Sequence, residues 1–222
     1  MKIFLIIPSF NEGTRLTKTL TEAKKYINEK YIVVVDDGSR TKETIPKSSK
    51  TILIRHQINL GKGEAMKTGA KYAFSKGATA VIFIDADLQH NPKYLPRFIK
   101  LLKTNDLVFA SRRPSLKSPF IRLLGNKFAS IYINILFGVY VSDLLSGYRA
   151  LNKKAYDLLK WSSPRYGVET EMVARLGKHQ DKLKWAEFPI ESIYVDKYKG
   201  VTIIDAIKIL TNSIWWKLDN TY

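Results

Sequence analysis

Two carboxylates, Asp85 and Asp87, stand two residues apart in IFIDADLQHNP, directly after the short apolar run 80–84. Successive side chains of a strand point to opposite faces, but a chain that turns at a strand end can aim both acids at one point. Two hard anionic oxygens suit Mg2+ or Mn2+ accompanied by substrate phosphates, and Gln89 adds an amide oxygen to the set. Helix capping does not need these acids, because Asn91 followed by Pro92 already supplies an N-cap and a first-turn proline. Asp85, Asp87 and Gln89 are therefore the candidate metal ligands.

Other polar stretches carry chemistry of the same kind. VVVDDGS supplies Asp36, Asp37, Gly38 and Ser39, which form a turn or, through Asp37, accept hydrogen bonds from a nucleobase N–H. NLGKGEAM has the glycines of a phosphate loop but neither the Walker spacing nor a full Gly-x-Gly-x-x-Gly, so tight entry into a helix explains it equally well. Arg112, Arg113, Arg149 and Lys197 are the cations that could offset charge on a departing pyrophosphate. Activating a hydroxyl nucleophile would require a carboxylate base, and Asp143, Glu169 and Glu171 are the candidates. Asp143 could instead orient an arginine, and Glu171 could be a structural ion-pair partner.

The elements that must position these residues alternate. Apolar strands are expected at 2–7, 31–35, 51–55, 81–84 and 107–110, with helices at 14–26, 63–75 and 92–102 between them. Ala65, Gly69 and Ala73 put small residues on one face of the second helix. Such alternation predicts an α/β fold with a mostly parallel sheet covered on both sides, whose ligands gather at the carboxyl ends of the strands. PSFNE, DDGS, HQINLGKGEA, DADLQH and SRR all fall there, which points to one composite site. The second half predicts one or two amphipathic helices over 116–137, a helix at 168–179, a strand at 184–189 and a last helix at 202–218. No Pro-, Gly- or Ser-rich linker divides the 222 residues, so one domain is expected, in two halves of about 1–112 and 113–222.

A hydrophobic content of 45% is enough for a sizeable core and excludes disorder as the main state. The formal net charge of +17 predicts attraction to polyanions: nucleic acid, phosphorylated small molecules or an anionic membrane surface. No helix-turn-helix, zinc ligand set or RNP-type aromatic motif accompanies the charge, and paired carboxylates repel phosphates in the absence of metal, so nucleic acid is not expected as a partner. There is no cysteine, hence no disulfide framework or thiolate metal site. The longest nearly apolar run, 131–141, is about half of the ~20 residues that a spanning helix needs and contains Asn134. No signal peptide is read at the start, and the expected location is cytoplasmic, peripheral on the cytosolic face of a membrane.

The motifs IPSFNE, VVVDDGS, GKGEA, FIDADLQHNP, ASRR, VSDLLSGYRA, ETEMVAR and EFPIESIYVDKYKG, in that order, resemble glycosyltransferase family 2 with a GT-A, Rossmann-like fold, and within it the dolichyl- or polyprenyl-phosphate sugar synthases. The resemblance covers about nine-tenths of the chain. It implies that Pro8, Phe10 and Glu12 line the nucleoside pocket with Val35 and Asp37 around the base, and that Asp85, Ala86 and Asp87 face the donor diphosphate. It further implies that Arg112, Arg149 and Lys197 hold phosphates of donor or acceptor, Lys197 standing where an arginine is frequent; Lys199 is the candidate for a second lysine.

The implied reaction is inverting transfer of a hexose from a nucleotide sugar, GDP-mannose before UDP-glucose, to dolichyl or polyprenyl phosphate, with Mg2+ or Mn2+. A soluble saccharide acceptor is the alternative. Between residues 93 and 127 nine Lys or Arg face one acid, Asp106, and Phe120, Ile121, Leu123, Leu124, Phe128, Ile131 and Ile135 are interleaved with the later ones. That pattern suits an interfacial amphipathic surface as well as a solvated face over a core stripe. In the last helix Ile203, Ile207, Leu210 and Ile214 form a stripe followed by Trp215 and Trp216, open to the core, a second copy of the chain, a membrane or a membrane-protein partner.

Overall fold

The computed structural model describes residues 1–114, 120–165, 167–193 and 203–218. Strands β1 (Ile3–Ser9), β2 (Ile32–Asp36), β3 (Ile52–Arg55), β4 (Ala80–Phe83), β5 (Leu107–Arg112), β6 (Arg149–Asn152) and β7 (Trp185–Ile190) form one sheet in the order β3-β2-β1-β4-β6-β5-β7. All neighbours pair in parallel except β6, which runs antiparallel to both β4 and β5. The helices are α1 (Thr14–Ala23), α2 (Lys62–Ser75), α3 (Leu95–Leu101), α4 (Phe120–Phe137), α5 (Lys153–Leu159), α6 (Val168–Lys178) and α7 (Ile203–Leu218).

Alternation along the central strands sorts the core into two layers. Ile6, Val33, Val35, Val81 and Phe83 face one side, where residues of α2, α4, α5 and α6 cover them. Leu5, Ile7, Val34, Ile82 and Ile84 face the other, against Leu16 and Leu20 of α1 and Leu95 and Phe98 of α3. Each such fully buried side chain contributes about 1.5–3 kcal/mol. The small face of α2 serves close packing: a Cβ added at Gly69 would stand 2.3 Å from Cγ2 of Ile6. Pro189 in β7 lies on an edge strand, where a missing N–H costs no ladder bond.

The sheet departs from the sequence reading at β6. No strand was expected between 110 and 184, yet Arg149–Asn152 inserts between β4 and β5, and the side chain of Asn152 then caps α5 by accepting from the Ala155 N–H at 2.9 Å. α7 differs as well. Its buried face carries Ile209, Ser213 and Trp216, whereas Ile214 of the expected stripe is half exposed, with Trp215 and Leu218 beside it.

Candidate active site

β1 has β2 on one side and β4 on the other, so the chain reverses its winding direction between β1 and β4. A crevice opens at the carboxyl ends of the strands at such a switch point. Pro8, Phe10 and Glu12 leave β1 there, and Asp85, Asp87 and Gln89 leave β4.

Asp85 is braced by a cation that the sequence reading passed over. The Lys62 ammonium lies 2.6 Å from Asp85 Oδ1 and 2.8 Å from Glu169 Oε1. Burial by itself would raise Asp85, but Lys62, followed by His90 and Arg112, brings it down to about 2. Asp87 is half buried beside Asp85 and Glu12, and its Oδ1 accepts from the Gln89 N–H at 3.0 Å. Burial and then the Asp85 charge push it up to about 6. Leu88, between Asp87 and Gln89, takes a left-handed φ of 68°, the bend that turns the chain back under the carboxylates. His90 is buried with both ring nitrogens lacking a hydrogen-bond partner, its Nδ1 3.5 Å from Asp85 Oδ2, and burial lowers it to about 4, so it is neutral.

Arg112 at the end of β5 is clamped by Asp143. Its Nε donates to Oδ2 at 2.6 Å, its Nη2 to Oδ1 at 2.9 Å, and its backbone N–H to Oδ2 at 3.0 Å. Asp143, expected among the catalytic residues, thereby positions an arginine. Despite burial the Arg112 guanidinium holds its carboxyl below the ordinary range, which makes it a poor proton acceptor. Glu171 is likewise committed, to Arg175 at 2.6 Å and to the N–H groups of Ser162 and Ser163.

Several expectations need correction. Arg149, expected to hold phosphate, is fully buried; its guanidinium donates to the carbonyls of Leu144, Ser146 and Glu169 and lies over the Phe109 ring, which leaves no face toward a crevice. Val35, expected beside a base, is wholly enclosed in the core with its Cγ2 against α2. Ala86, expected on the diphosphate, is buried against α1, and its carbonyl accepts from Thr19 Oγ1 at 3.2 Å. Asp37 is an anchor for the loop ahead of α2: Oδ1 accepts from Leu60 N–H and pairs with His56 Nδ1, and Oδ2 accepts from Gly61 N–H at 2.7 Å. Asp36 ties down the Ser39 and Glu43 N–H groups and Arg55. Pro8 is half buried, the Phe10 ring is 42% exposed at the crevice rim, and Glu12 pairs with Arg15 at 2.9 Å. Arg113 is exposed, and its N–H donates to Ile190 O. Lys197 and Lys199 lie outside the described residues.

Besides Lys62, the sequence reading missed Glu43 and Gly147. Buried Glu43 gathers Ser9 Oγ and the N–H groups of Glu12 and Gly13 on its carboxylate, which fixes the loop after β1. A Cβ at Gly147 would fall 2.5 Å from the Lys62 ammonium and 2.7 Å from Asp85 Oδ2. The Lys62 signal was present in GKGEA, hidden by its poor match to phosphate-loop spacing.

Among the described residues no group of three or more His, Cys, Asp or Glu forms a metal cluster. The donor chemistry nevertheless fits a hard divalent ion that keeps positions for substrate oxygens: two adjacent carboxylates, one of them raised by burial and then by its neighbours' negative charge, and the Gln89 amide. Among the described residues no helix is long and apolar enough to cross a membrane.

Residues 4–159 match the family model described as glycosyl transferase family 2. The undecaprenyl-phosphate mannosyltransferase of Micrococcus luteus is 32% identical over 80% of this chain and 80% of that protein. The UDP-N-acetylglucosamine–dolichyl-phosphate N-acetylglucosaminyltransferase of Methanococcus voltae is 30% identical over 97% of this chain and 96% of its own. Glucosyl-3-phosphoglycerate synthase from Mycobacterium tuberculosis, solved with Mn2+, UDP-glucose and phosphoglyceric acid, superimposes with a TM-score of 0.73 at 20% identity, covering 99% of this chain and 81% of that one. The fold is thus the GT-A, Rossmann-like α/β architecture, and the chain belongs to glycosyl transferase family 2.

Proposed function

We propose that the protein transfers a hexose, with inversion, from a nucleotide sugar to a polyprenyl or dolichyl phosphate. The observation that carries this reading is the meeting of Asp85, Asp87, Lys62 and the Asp143-clamped Arg112 at one strand-end crevice. The two relatives named for transfer to undecaprenyl or dolichyl phosphate support the acceptor class.

Asp85, Asp87 and Gln89 would hold Mg2+ or Mn2+, which supplies Lewis-acid charge at the donor diphosphate. The exposed Phe10 ring offers a stacking face to a base, with Pro8 and Glu12 beside it and the remaining lone pair of Asp37 Oδ2 behind. Arg112, held in one orientation by Asp143, sets a fixed positive charge where the leaving diphosphate gains negative charge. Lys197 joins the phosphate-holding set by the family resemblance. As the anomeric carbon–oxygen bond breaks, an acceptor oxygen attacks from the opposite face.

A lipid phosphate needs no strong base, because a phosphate monoester carries a charge of about −1.5 to −2 near neutral pH. This agrees with a site whose nearby carboxylates are engaged: Asp143 by Arg112, Glu169 by Lys62 and Glu171 by Arg175. On α4, exposed Leu124, Phe128, Ile131 and Ile135 with Lys127 support seating on an anionic membrane surface, where such an acceptor resides.

The test is transfer of radiolabelled sugar into an organic-extractable fraction with a short polyprenyl phosphate, with and without Mn2+. GDP-mannose is the first donor, with UDP-glucose and UDP-N-acetylglucosamine alongside. Metal-dependent label in the lipid, abolished in Asp87→Ala, is expected. Label reaching a soluble saccharide but never the lipid would replace the acceptor assignment, and full activity of Asp87→Ala would sink the metal assignment.

A further inference from the structure

The Lys62 ammonium is gripped between Asp85 at the end of β4 and Glu169 in the first turn of α6, at 2.6 and 2.8 Å. Its placement is built from both sides. Asp37 holds the N–H groups of Leu60 and Gly61 just ahead of it, and Trp161 Nε1 donates to the Gly63 carbonyl at 2.9 Å just behind. Gly147 leaves the space through which the ammonium reaches Asp85. A cation at the first position of a helix stands at the positive end of the helix dipole, an unfavourable place unless carboxylates compensate it. Three segments distant in sequence therefore converge to hold a positive charge against one of the two paired acids.

We propose that the Lys62–Glu169 pair sets the strength with which Asp85 and Asp87 hold a divalent cation. Lys62 is a resident positive charge that competes for Asp85, and Glu169 draws part of it away. The inference rests on the reading of Asp85 and Asp87 as metal ligands. A divalent ion at Asp85 must share the carboxylate with the ammonium or displace it, and the ammonium then keeps Glu169 as its partner. Lys62 and Glu169 are positioning residues in this scheme, and Glu169 serves as a tether, not as a proton acceptor.

The two residues push metal affinity in opposite directions, which a merely structural role would not do. Titration of the full chain with Mn2+, followed by electron paramagnetic resonance, measures this without any turnover. Lys62→Met is expected to tighten Mn2+ binding by about 10-fold and Glu169→Gln to weaken it by about 5-fold, within the usual size of coupling between sites. The double variant should follow Lys62→Met within about 2-fold, since Glu169 acts only through Lys62. Unchanged or weaker binding in Lys62→Met overturns the proposal, as does tighter or unchanged binding in Glu169→Gln. If circular dichroism shows Lys62→Met unfolded, Glu169→Gln decides alone. Asp87→Ala separates the underlying readings: Mn2+ binding that survives it removes the metal site itself, whereas binding lost there but insensitive to Lys62→Met removes only the role of Lys62. Mn2+ trends as expected with no label in any lipid would retire the transfer assignment and keep this one.

Discussion

Burial raises both carboxylates of the Asp85–Asp87 pair, and their neighbours then separate them: Lys62 brings Asp85 down to about 2, whereas the Asp85 charge pushes Asp87 further, to about 6. Asp87 thus binds its proton more tightly in the folded chain than in the unfolded one. Its share of stability is greatest below the unfolded value, near about 4, and is lost as pH rises through about 6, by at most about 3 kcal/mol. An acid that weakens its own fold at neutral pH is expected where function requires the charge. With EDTA present, Asp87→Asn should be more stable than the parent by about 1–3 kcal/mol at pH 7.5, the gap closing near pH 4. Urea denaturation at the two pH values measures it, and a variant less stable at pH 7.5 would contradict the assignment. The acids themselves were legible from Asp-x-Asp after an apolar run, but Lys62 was not. A lysine in a glycine-rich turn looks like any solvated lysine until Glu169, more than 100 residues later in the sequence, is folded beside it.

The alternating elements of the first half were readable because each strand is a continuous apolar run and each helix has a small or apolar face, as in β2 and α2. β6 was not, because four residues carrying a buried arginine give no period, and only pairing with β4 and β5 makes them a strand. The same insertion explains why Arg149 misled. Beside Gly147 and Tyr148 it resembled a phosphate cation, but it starts the antiparallel strand and supplies N–H groups to carbonyls of the 144–146 loop and of Glu169. Burial lowers its pKa only to about 10, so it keeps its charge there. Arg149→Met leaves those carbonyls without donors and should cost about 3–5 kcal/mol. A urea midpoint shift in the absence of any ligand is the measurement. A normal midpoint with a raised donor KM would return Arg149 to the binding site.

The whole molecule carries +17, and the second half of its sequence places an exposed apolar stripe on an 18-residue helix without a single acid. Leu124, Phe128, Ile131 and Ile135 follow one another at spacings of four, three and four, so they share one side of α4, while Ile133 and Phe137 turn inward to the core. Ile135, at 75% exposed, gains nothing from the fold, and such a stripe with Lys127 alongside matches a surface that meets apolar tails and anionic headgroups together. Burying one Phe or Ile side chain contributes about 1.5–3 kcal/mol, so Phe128→Glu with Ile135→Glu should weaken co-sedimentation with phosphatidylglycerol-containing vesicles by at least about 10-fold. Both positions are solvent-exposed, so thermal stability should change little. The electrostatic share should fall between about 0.1 and 0.5 M salt, as screening shortens the reach of the lysines. Under the proposed function, with the α4 stripe seating the protein on the membrane and the strand-end residues performing the chemistry, transfer to a short, water-soluble polyprenyl phosphate should persist in the double variant while transfer to vesicle-borne acceptor falls. Equal binding of parent and variant, or equal binding to neutral and anionic vesicles, would instead leave the α4 stripe to a protein partner, and cross-linking of a second copy through a cysteine placed at position 131 would identify that partner as the chain itself.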